Sequence, residues 1–116
     1  MNKIAPIAAE ACGLDRALRV IAGKWKPTII WTLHVAPLRF GELRRAVSGI
    51  SEKILFEQLR ELERDGVVQR REFAEKVARV EYSLTPQGAL LNSAVHAVAE
   101  WGTEYGAPVQ PSVAAE

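Results

Sequence analysis

The sequence contains one cysteine, Cys12, so no disulfide bond can form within the chain. The fold must therefore depend on side-chain burial, which suits a reducing compartment. The apolar runs are all far shorter than the ~18 residues needed to span a bilayer. The N-terminus also lacks the basic segment followed by an apolar segment that marks a secretory signal. From these absences we expect a cytoplasmic protein without a membrane-spanning segment.

Motifs of catalytic and metal sites are also missing. The sequence has no glycine-rich phosphate loop, no paired carboxylates and no nucleophile with an adjacent base. Its two histidines, His34 and His96, do not combine with Cys12 at a spacing that would bind zinc. Its three tryptophans could line a ligand cavity, but aromatic residues on apolar faces more often belong to a core. We therefore expect no enzyme activity, no cofactor and no metal.

Positive charge is absent from the last third of the sequence. After Arg79 there is no Lys or Arg, whereas Glu81, Glu100, Glu104 and Glu116 remain. Between Arg16 and Arg45, by contrast, seven basic residues face the single acid Glu42. The net charge of +1 therefore hides an uneven distribution. This polarity predicts a phosphate-facing region and a separate acidic helix.

The spacing of apolar residues predicts five helices and one hairpin, a mainly α fold with a β-hairpin wing (α+β). The predicted elements are a helix over residues 13–22, one from Pro27 that ends before Pro37, one from about Gly41, one from Ser51 to about Asp65, strands over residues 67–73 and 79–84, and a helix from Thr85-Pro86 to Gly106. Two helices joined at Ser48-Gly49 and followed directly by a hairpin describe a winged helix-turn-helix. We expect residues 1–11 to form a flexible arm, residues 12–106 the single domain, and residues 107–116 a disordered tail.

The second helix of this pair has the mixed outer face that a recognition helix needs. Lys53 and Arg60 can neutralise phosphate or read guanine, and Glu57 can accept a hydrogen bond from the amino group of cytosine. The alternative is an ordinary solvated helix with alternating charges. The wing residue Arg79 has its own alternative, a structural ion pair with Glu81 or Glu72 on the paired strands. The candidate DNA-binding residues are Arg39, Ser51, Lys53, Phe56, Glu57, Arg60, Lys76 and Arg79.

Six motifs, in the same order and spacing, resemble the HxlR-type winged helix-turn-helix transcriptional regulators, which are relatives of the MarR regulators. They are CGLDRALRVIAGKW (12–25), RFGELRRAV (39–47), GISEKILFEQLRELE (49–63), RVEY (79–82), LTPQG (84–88) and WG (101–102). The resemblance implies a homodimeric DNA-binding regulator whose first and last helices form the dimer contact. Glu57 stands where the family often has Gln, so the resemblance does not determine which base this protein prefers at that position.

The predicted dimer interface combines two apolar stripes. Spacings of three and four residues along the last helix form a seam typical of one side of a helix pair. The candidate interface residues are Leu14 and Leu18 in the first helix, and Leu91, Val98, Trp101 and Tyr105 in the last.

Cys12 lies just before the first helix, where backbone amides and Arg16 would favour a reactive thiolate. Some members of the family that the chain resembles sense oxidants, quinones or aldehydes through a cysteine at this position. Cys12 is therefore a candidate sensor for an oxidant or small-molecule effector. The alternative is a small buried apolar residue at the dimer interface.

These interpretations predict a sequence-specific transcriptional regulator. A homodimer would read a palindromic operator in double-stranded DNA through recognition helices (about residues 51–65) and wings (about residues 67–84). It would respond to oxidants or electrophiles if Cys12 is a sensor. The competing hypothesis is a winged-helix module that binds a protein partner and has no specific affinity for DNA.

Overall fold

The structure, a computed structural model, describes residues 12–108. The predicted N-terminal arm and residues 109–116 of the predicted tail lie outside the described residues. The elements are α1 (Gly13–Ile21), α2 (Lys26–Leu33), α3 (Phe40–Ala46), α4 (Glu52–Arg64), β1 (Val68–Phe73), β2 (Arg79–Leu84) and α5 (Pro86–Tyr105). The predicted order of helices and strands, and the mainly α fold with a hairpin wing, are confirmed.

Hydroxyl caps start two of the helices where the sequence predicts them. The Ser51 Oγ accepts a hydrogen bond from the Ile54 amide at 3.1 Å, and the Thr85 Oγ1 accepts one from the Gly88 amide at 3.0 Å. Such caps satisfy amides that have no partner within the helix.

Two other helices begin one residue earlier than predicted. Helix α3 starts at Phe40, because the carboxylate of Glu42 accepts a hydrogen bond from the Arg39 amide at 2.8 Å and makes Arg39 the capping residue. Helix α2 starts at Lys26, which places Pro27 in its first turn, where the missing N–H of proline has no helical partner to lose.

The core is built around α2, which packs against α3, β2 and α5. Its Ile29 and Ile30 are completely buried, and so are Leu55, Leu59 and Leu62 on one face of α4. Trp25 and Trp31 pack against this core, as expected of aromatic residues on apolar faces, but Trp101 is 62% exposed. Helix α4 is therefore fixed along one side and free along the other.

The wing is an antiparallel hairpin whose register pairs Val68 with Leu84 and Phe73 with Arg79. Tyr82 lies in the core, and Val80 and Leu84, which alternate with polar residues along β2, pack against that core. A further bridge joins Tyr82 to Leu38: each residue donates its amide to the carbonyl of the other, at 2.8 and 2.9 Å. The sequence gives no sign of this bridge, because one paired residue makes no periodic pattern.

Two helices leave apolar side chains outside the core. Helix α1 has no buried residue, and its Leu14 and Leu18 are 67% and 51% exposed. Helix α5 also exposes apolar side chains along most of its length. Leu91, by contrast, packs against the core of the same chain. Between Cys12 and Pro108, no helix is long and apolar enough to cross a bilayer.

Candidate nucleic-acid interface

The turn between α3 and α4 holds the two helices at a fixed angle. Gly49 adopts a φ of +88°, a left-handed conformation that glycine takes at little cost. On either side of it, Val47 and Ile50 are buried and anchor the turn to the core. This is the helix-turn-helix that the Ser48-Gly49 interruption predicts.

The outer face of α4 is fully available to a partner. Lys53, Glu57, Arg60 and Arg64 are all exposed, opposite the three buried leucines. The Arg60 guanidinium lies over the Phe56 ring, 5.8 Å from its centroid, and Phe56 is itself 49% exposed. This cation–π contact restricts two long side chains before any ligand arrives.

An ion pair with a buried lysine fixes α4 at the edge of this face. Lys26 is only 5% exposed, and its ammonium lies 2.5 Å from the Glu61 carboxylate. The hydrogen bond from Lys26 lowers the pKa of Glu61. The pair therefore stabilises the fold at neutral pH, and this contribution is lost as the pH falls through the folded-state pKa of Glu61. The charge pattern had grouped Lys26 with the phosphate-facing residues, but the structure places it inside the protein.

Two arginines that were not among the predicted site residues flank the helix-turn-helix turn. Arg44 and Arg45 are exposed at the end of α3, beside Ser48 and Ser51. Arg44 makes an ion pair with Glu52 at 3.2 Å, with both side chains largely in solvent. Such a pair is weak and can be exchanged for a phosphate contact. The excess of basic residues between Arg16 and Arg45 was the signal that could have identified them.

The wing residue Arg79 lies in a network of its own hairpin. Its guanidinium is 3.1 Å from Glu75 and 3.5 Å from Glu81, and it covers the Phe73 ring at 4.1 Å. This geometry favours the structural ion-pair interpretation of Arg79, although Glu72, one of its two expected partners, pairs instead with Arg70 at 2.7 Å. The role of Arg79 in DNA binding stays a prediction.

Other cations of the wing are more accessible than Arg79. Lys76 is exposed near the hairpin tip, and Arg70 and Arg71 are exposed on β1. Neither arginine was among the predicted site residues, although the wing as a whole was predicted to contact DNA. The hairpin extends from the domain, so both faces of β1 are open at this point.

Cys12 caps α1 and is partly exposed. Its carbonyl accepts the Arg16 amide at 3.1 Å, which starts the helix, and its side chain makes no capping hydrogen bond. The thiol thus lies at the helix N-terminus, as the sequence predicts. No group of three His, Cys, Asp or Glu residues within residues 12–108 is arranged to hold a metal ion.

Comparison with known proteins places this geometry in a family. The chain matches the family described as HxlR-like helix-turn-helix over residues 20–110. It is 38% identical over 96 residues to YdeP of Bacillus subtilis (strain 168), an uncharacterized HTH-type transcriptional regulator, covering 83% of this chain and 75% of that one.

Solved structures agree in fold. A protein described as a MarR-family transcriptional regulator from Porphyromonas gingivalis W83 has a TM-score of 0.80 at 37% identity, over 87% of this chain and 99% of that chain. The oxidised form of the redox regulator HypR has a TM-score of 0.78 at 39% identity, over 84% and 100%. The chain therefore belongs to the HxlR-like helix-turn-helix family of transcriptional regulators.

Proposed function

We propose that this protein is a sequence-specific, DNA-binding transcriptional regulator that acts in the cytoplasm as a homodimer. Each protomer places α4 in the major groove of one half of a palindromic operator, with the wing on the adjacent backbone. The observation that carries the proposal is the asymmetry of α4. Three fully buried leucines hold one side, and a mixed-charge face led by Lys53, Glu57 and Arg60 is open on the other.

Each side chain on that face has a chemical role in reading DNA. Arg60 and Lys53 suit guanine or phosphate, Glu57 suits the amino group of cytosine, and Phe56 suits the methyl group of thymine. Ser51 uses its Oγ as an acceptor in the helix cap, which leaves the hydroxyl proton for a phosphate oxygen. Among the residues described, neither Lys53 nor Glu57 is held in an ion pair, so both can reorient towards bases.

The competing function is a winged-helix module that uses the same face to bind a protein. Selection of genomic DNA fragments at physiological salt separates the two. Retention of one upstream region over bulk DNA supports the regulator, because specific sites are typically bound about 10³-fold or more tightly than non-specific DNA. Equal retention of all fragments would favour the protein-binding module.

Replacing Arg60 with alanine is expected to weaken operator binding by roughly 10- to 100-fold. A good bidentate contact to a base contributes about 1–3 kcal/mol of discrimination, and the substitution also frees the Phe56 ring from its cation–π contact. The measurement is a binding titration on the selected operator and on a scrambled duplex. The loss should be larger on the operator.

The matched control is Arg19→Ala, which removes the same charge from α1. Arg19 makes an ion pair with Asp15 at 3.0 Å, and its side chain is 64% exposed. Loss of such a pair costs at most about 1 kcal/mol of stability. An Arg60→Ala protein that folds and binds its operator as the control does would contradict the recognition face assigned here.

A redox response through Cys12 is a second element of the proposal, favoured by similarity to the redox regulator HypR. Since Cys12 is the only cysteine, a disulfide must join two chains or a chain and a small thiol. With diamide, the two Cys12 thiols of a dimer lose two protons and two electrons to the reagent and form one disulfide. Because Cys12 starts α1, the bond would reposition the first helices.

Diamide is expected to change the operator affinity of the wild type by about fivefold or more, a common size of allosteric coupling. Cys12→Ser keeps a small polar cap at the start of α1 but cannot be oxidised to a disulfide, so its affinity should not change. Non-reducing electrophoresis reports the covalent dimer alongside the titration. An equal diamide response in both proteins would eliminate Cys12 as the sensor.

A further inference from the structure

The C-terminal end of α4 is joined to the first turn of α5 by a compact set of hydrogen bonds, here called the corner. It consists of Asp65, Gly66 and Val67 on one side and Thr85, Gln87 and Gly88 on the other. The Gln87 side-chain amide donates to the Gly66 carbonyl at 2.7 Å and to the Asp65 carbonyl at 3.3 Å. These carbonyls follow the last turn of α4, where no helical donor can reach them.

Thr85 contributes from the same side of the corner. Its hydroxyl is 2.5 Å from the Gly66 carbonyl and 3.2 Å from that of Val67, and its backbone amide donates to the Val67 carbonyl at 3.0 Å. The same hydroxyl oxygen caps α5 by accepting the Gly88 amide. One side chain therefore serves both the end of the recognition helix and the start of α5.

The two glycines show how close the contact is. Gly66 has a φ of +76°, and a Cβ there would overlap the Gln87 amide. A Cβ on Gly88 would overlap the carbonyl oxygen of Val67. The first turn of α5 thus lies close against the segment that leaves α4, and at Gly88 the contact is backbone against backbone.

The corner joins the two helices that determine how a dimer meets DNA. Helix α5 has 20 residues and is therefore about 30 Å long. A tilt of about 5° at its base moves its far end by about 2.6 Å, which approaches the roughly 3.4 Å rise of one base pair. The exposed apolar residues Val98, Trp101 and Tyr105 lie towards that far end. A small change in the angle between α4 and α5 at the corner would therefore change the distance between the two recognition helices of a dimer.

We propose that Gln87 is a positioning residue that sets the half-site spacing the dimer accepts. Its two hydrogen bonds hold α4 at one angle to α5, so that only one separation of half-sites can engage both protomers at once. Gln87 itself is exposed, and it is not among the residues of the buried core. This inference rests on the proposed function, because spacing has meaning only for a dimer on a two-part operator.

The test uses the full-length protein and a series of operators in which one or two base pairs are inserted or removed between the half-sites. Gln87→Met keeps the length of the side chain but removes its donor, and Gln87→Lys restores a donor. Thr32→Val is the control. It also removes a side-chain hydrogen bond to a backbone carbonyl, that of Thr28 at 2.7 Å, but away from the corner. Affinities are measured for every operator and for a single half-site.

For the wild type and Thr32→Val, one inserted base pair should lower affinity by roughly tenfold or more, because simultaneous engagement of both half-sites is lost. Gln87→Met should bind a single half-site with the affinity of the wild type. Its operator affinity should fall only about threefold or less when one base pair is inserted between the half-sites. Gln87→Lys should recover most of the wild-type penalty.

Three results would overturn the inference. They are a Gln87→Met protein with the wild-type penalty, a Gln87→Met protein whose affinity falls uniformly on all operators, and a wild type that binds its operator without any preference for spacing. A wild type that selects no DNA at all is a different result, which overturns the proposed function itself.

Discussion

A protein in which both Val98 and Trp101 are replaced by glutamate is expected to be a folded monomer with roughly 10²- to 10⁴-fold lower operator affinity. The reason is exposure. Val98 is 69% exposed, Trp101 62% and Tyr105 70%, all on α5. Large apolar side chains grouped in this way on the described surface are typical of an interface rather than of a solvated helix. A second copy of the chain would cover them.

The glutamates would act by charge as well as by loss of apolar area. Glu100 and Glu104 already lie on the same part of α5, and no Lys or Arg follows Arg79 in the sequence. Two further carboxylates in each protomer would be brought together across the interface, where they would lose water without gaining a partner. The fold itself should survive, since neither side chain belongs to the buried core.

Sedimentation analysis gives the oligomeric state, and titrations on one half-site and on the full operator give the affinities. The variant should bind a half-site with the affinity of the wild type. It should bind the full operator no more tightly than it binds a half-site. Val35→Glu is the matched control, because Val35 is 78% exposed but lies in the loop after α2. A double variant that remains dimeric would mean that the interface lies elsewhere on the protein.

The recognition helix shows how much of this site the sequence could predict. Leu55, Leu59 and Leu62 repeat at helical spacing, and Ser51 is a preferred cap, so the inner face and the start of α4 followed from local rules. All three leucines are completely buried. Local chemistry was sufficient there because each signal lies within one or two turns of the residue that it places.

The ion pair between Lys26 and Glu61 shows where that reasoning ends. The two residues are 35 positions apart, and a count of charges treats a buried ammonium and an exposed one alike. Only the tertiary fold, which brings Lys26 at the start of α2 beside Glu61 of α4, decides which lysine enters the interior. The corner around Gln87 was missed for the same reason. Thr85-Pro86 indicates a helix start, but the neighbouring sequence does not indicate which distant carbonyls accept the hydrogen bonds of Gln87.

Operator affinity is expected to fall by about a thousandfold between 50 and 200 mM salt. Each phosphate neutralised by Lys or Arg releases counterions, with a slope of about −0.9 per contact on logarithmic axes. The candidate interface of each protomer carries the exposed cations Arg39, Arg44, Arg45, Lys53, Arg60, Arg70, Arg71 and Lys76. Three phosphate contacts from each protomer give about six in a dimer, hence a slope near −5.

Removing one phosphate contact should lower the magnitude of that slope in a countable way. Arg45→Ala deletes one exposed guanidinium beside the helix-turn-helix turn in each protomer, so the dimer slope should decrease by about 2. Arg19→Ala, which removes the same charge from α1, should leave the slope unchanged. Both proteins have the same net charge, so a difference between them reports where the charge lies.

This distinction matters because the net charge of the chain is only +1. A nearly neutral protein has no general attraction to DNA, and a steep salt dependence can arise only if its cations are gathered on one surface. The structure withdraws Lys26 into the core and Arg79 into ion pairs, and it leaves the acidic residues Glu100 and Glu104 on α5. A slope smaller in magnitude than about 2 would contradict DNA binding through α4 and the wing, and would favour a protein partner for the mixed-charge face.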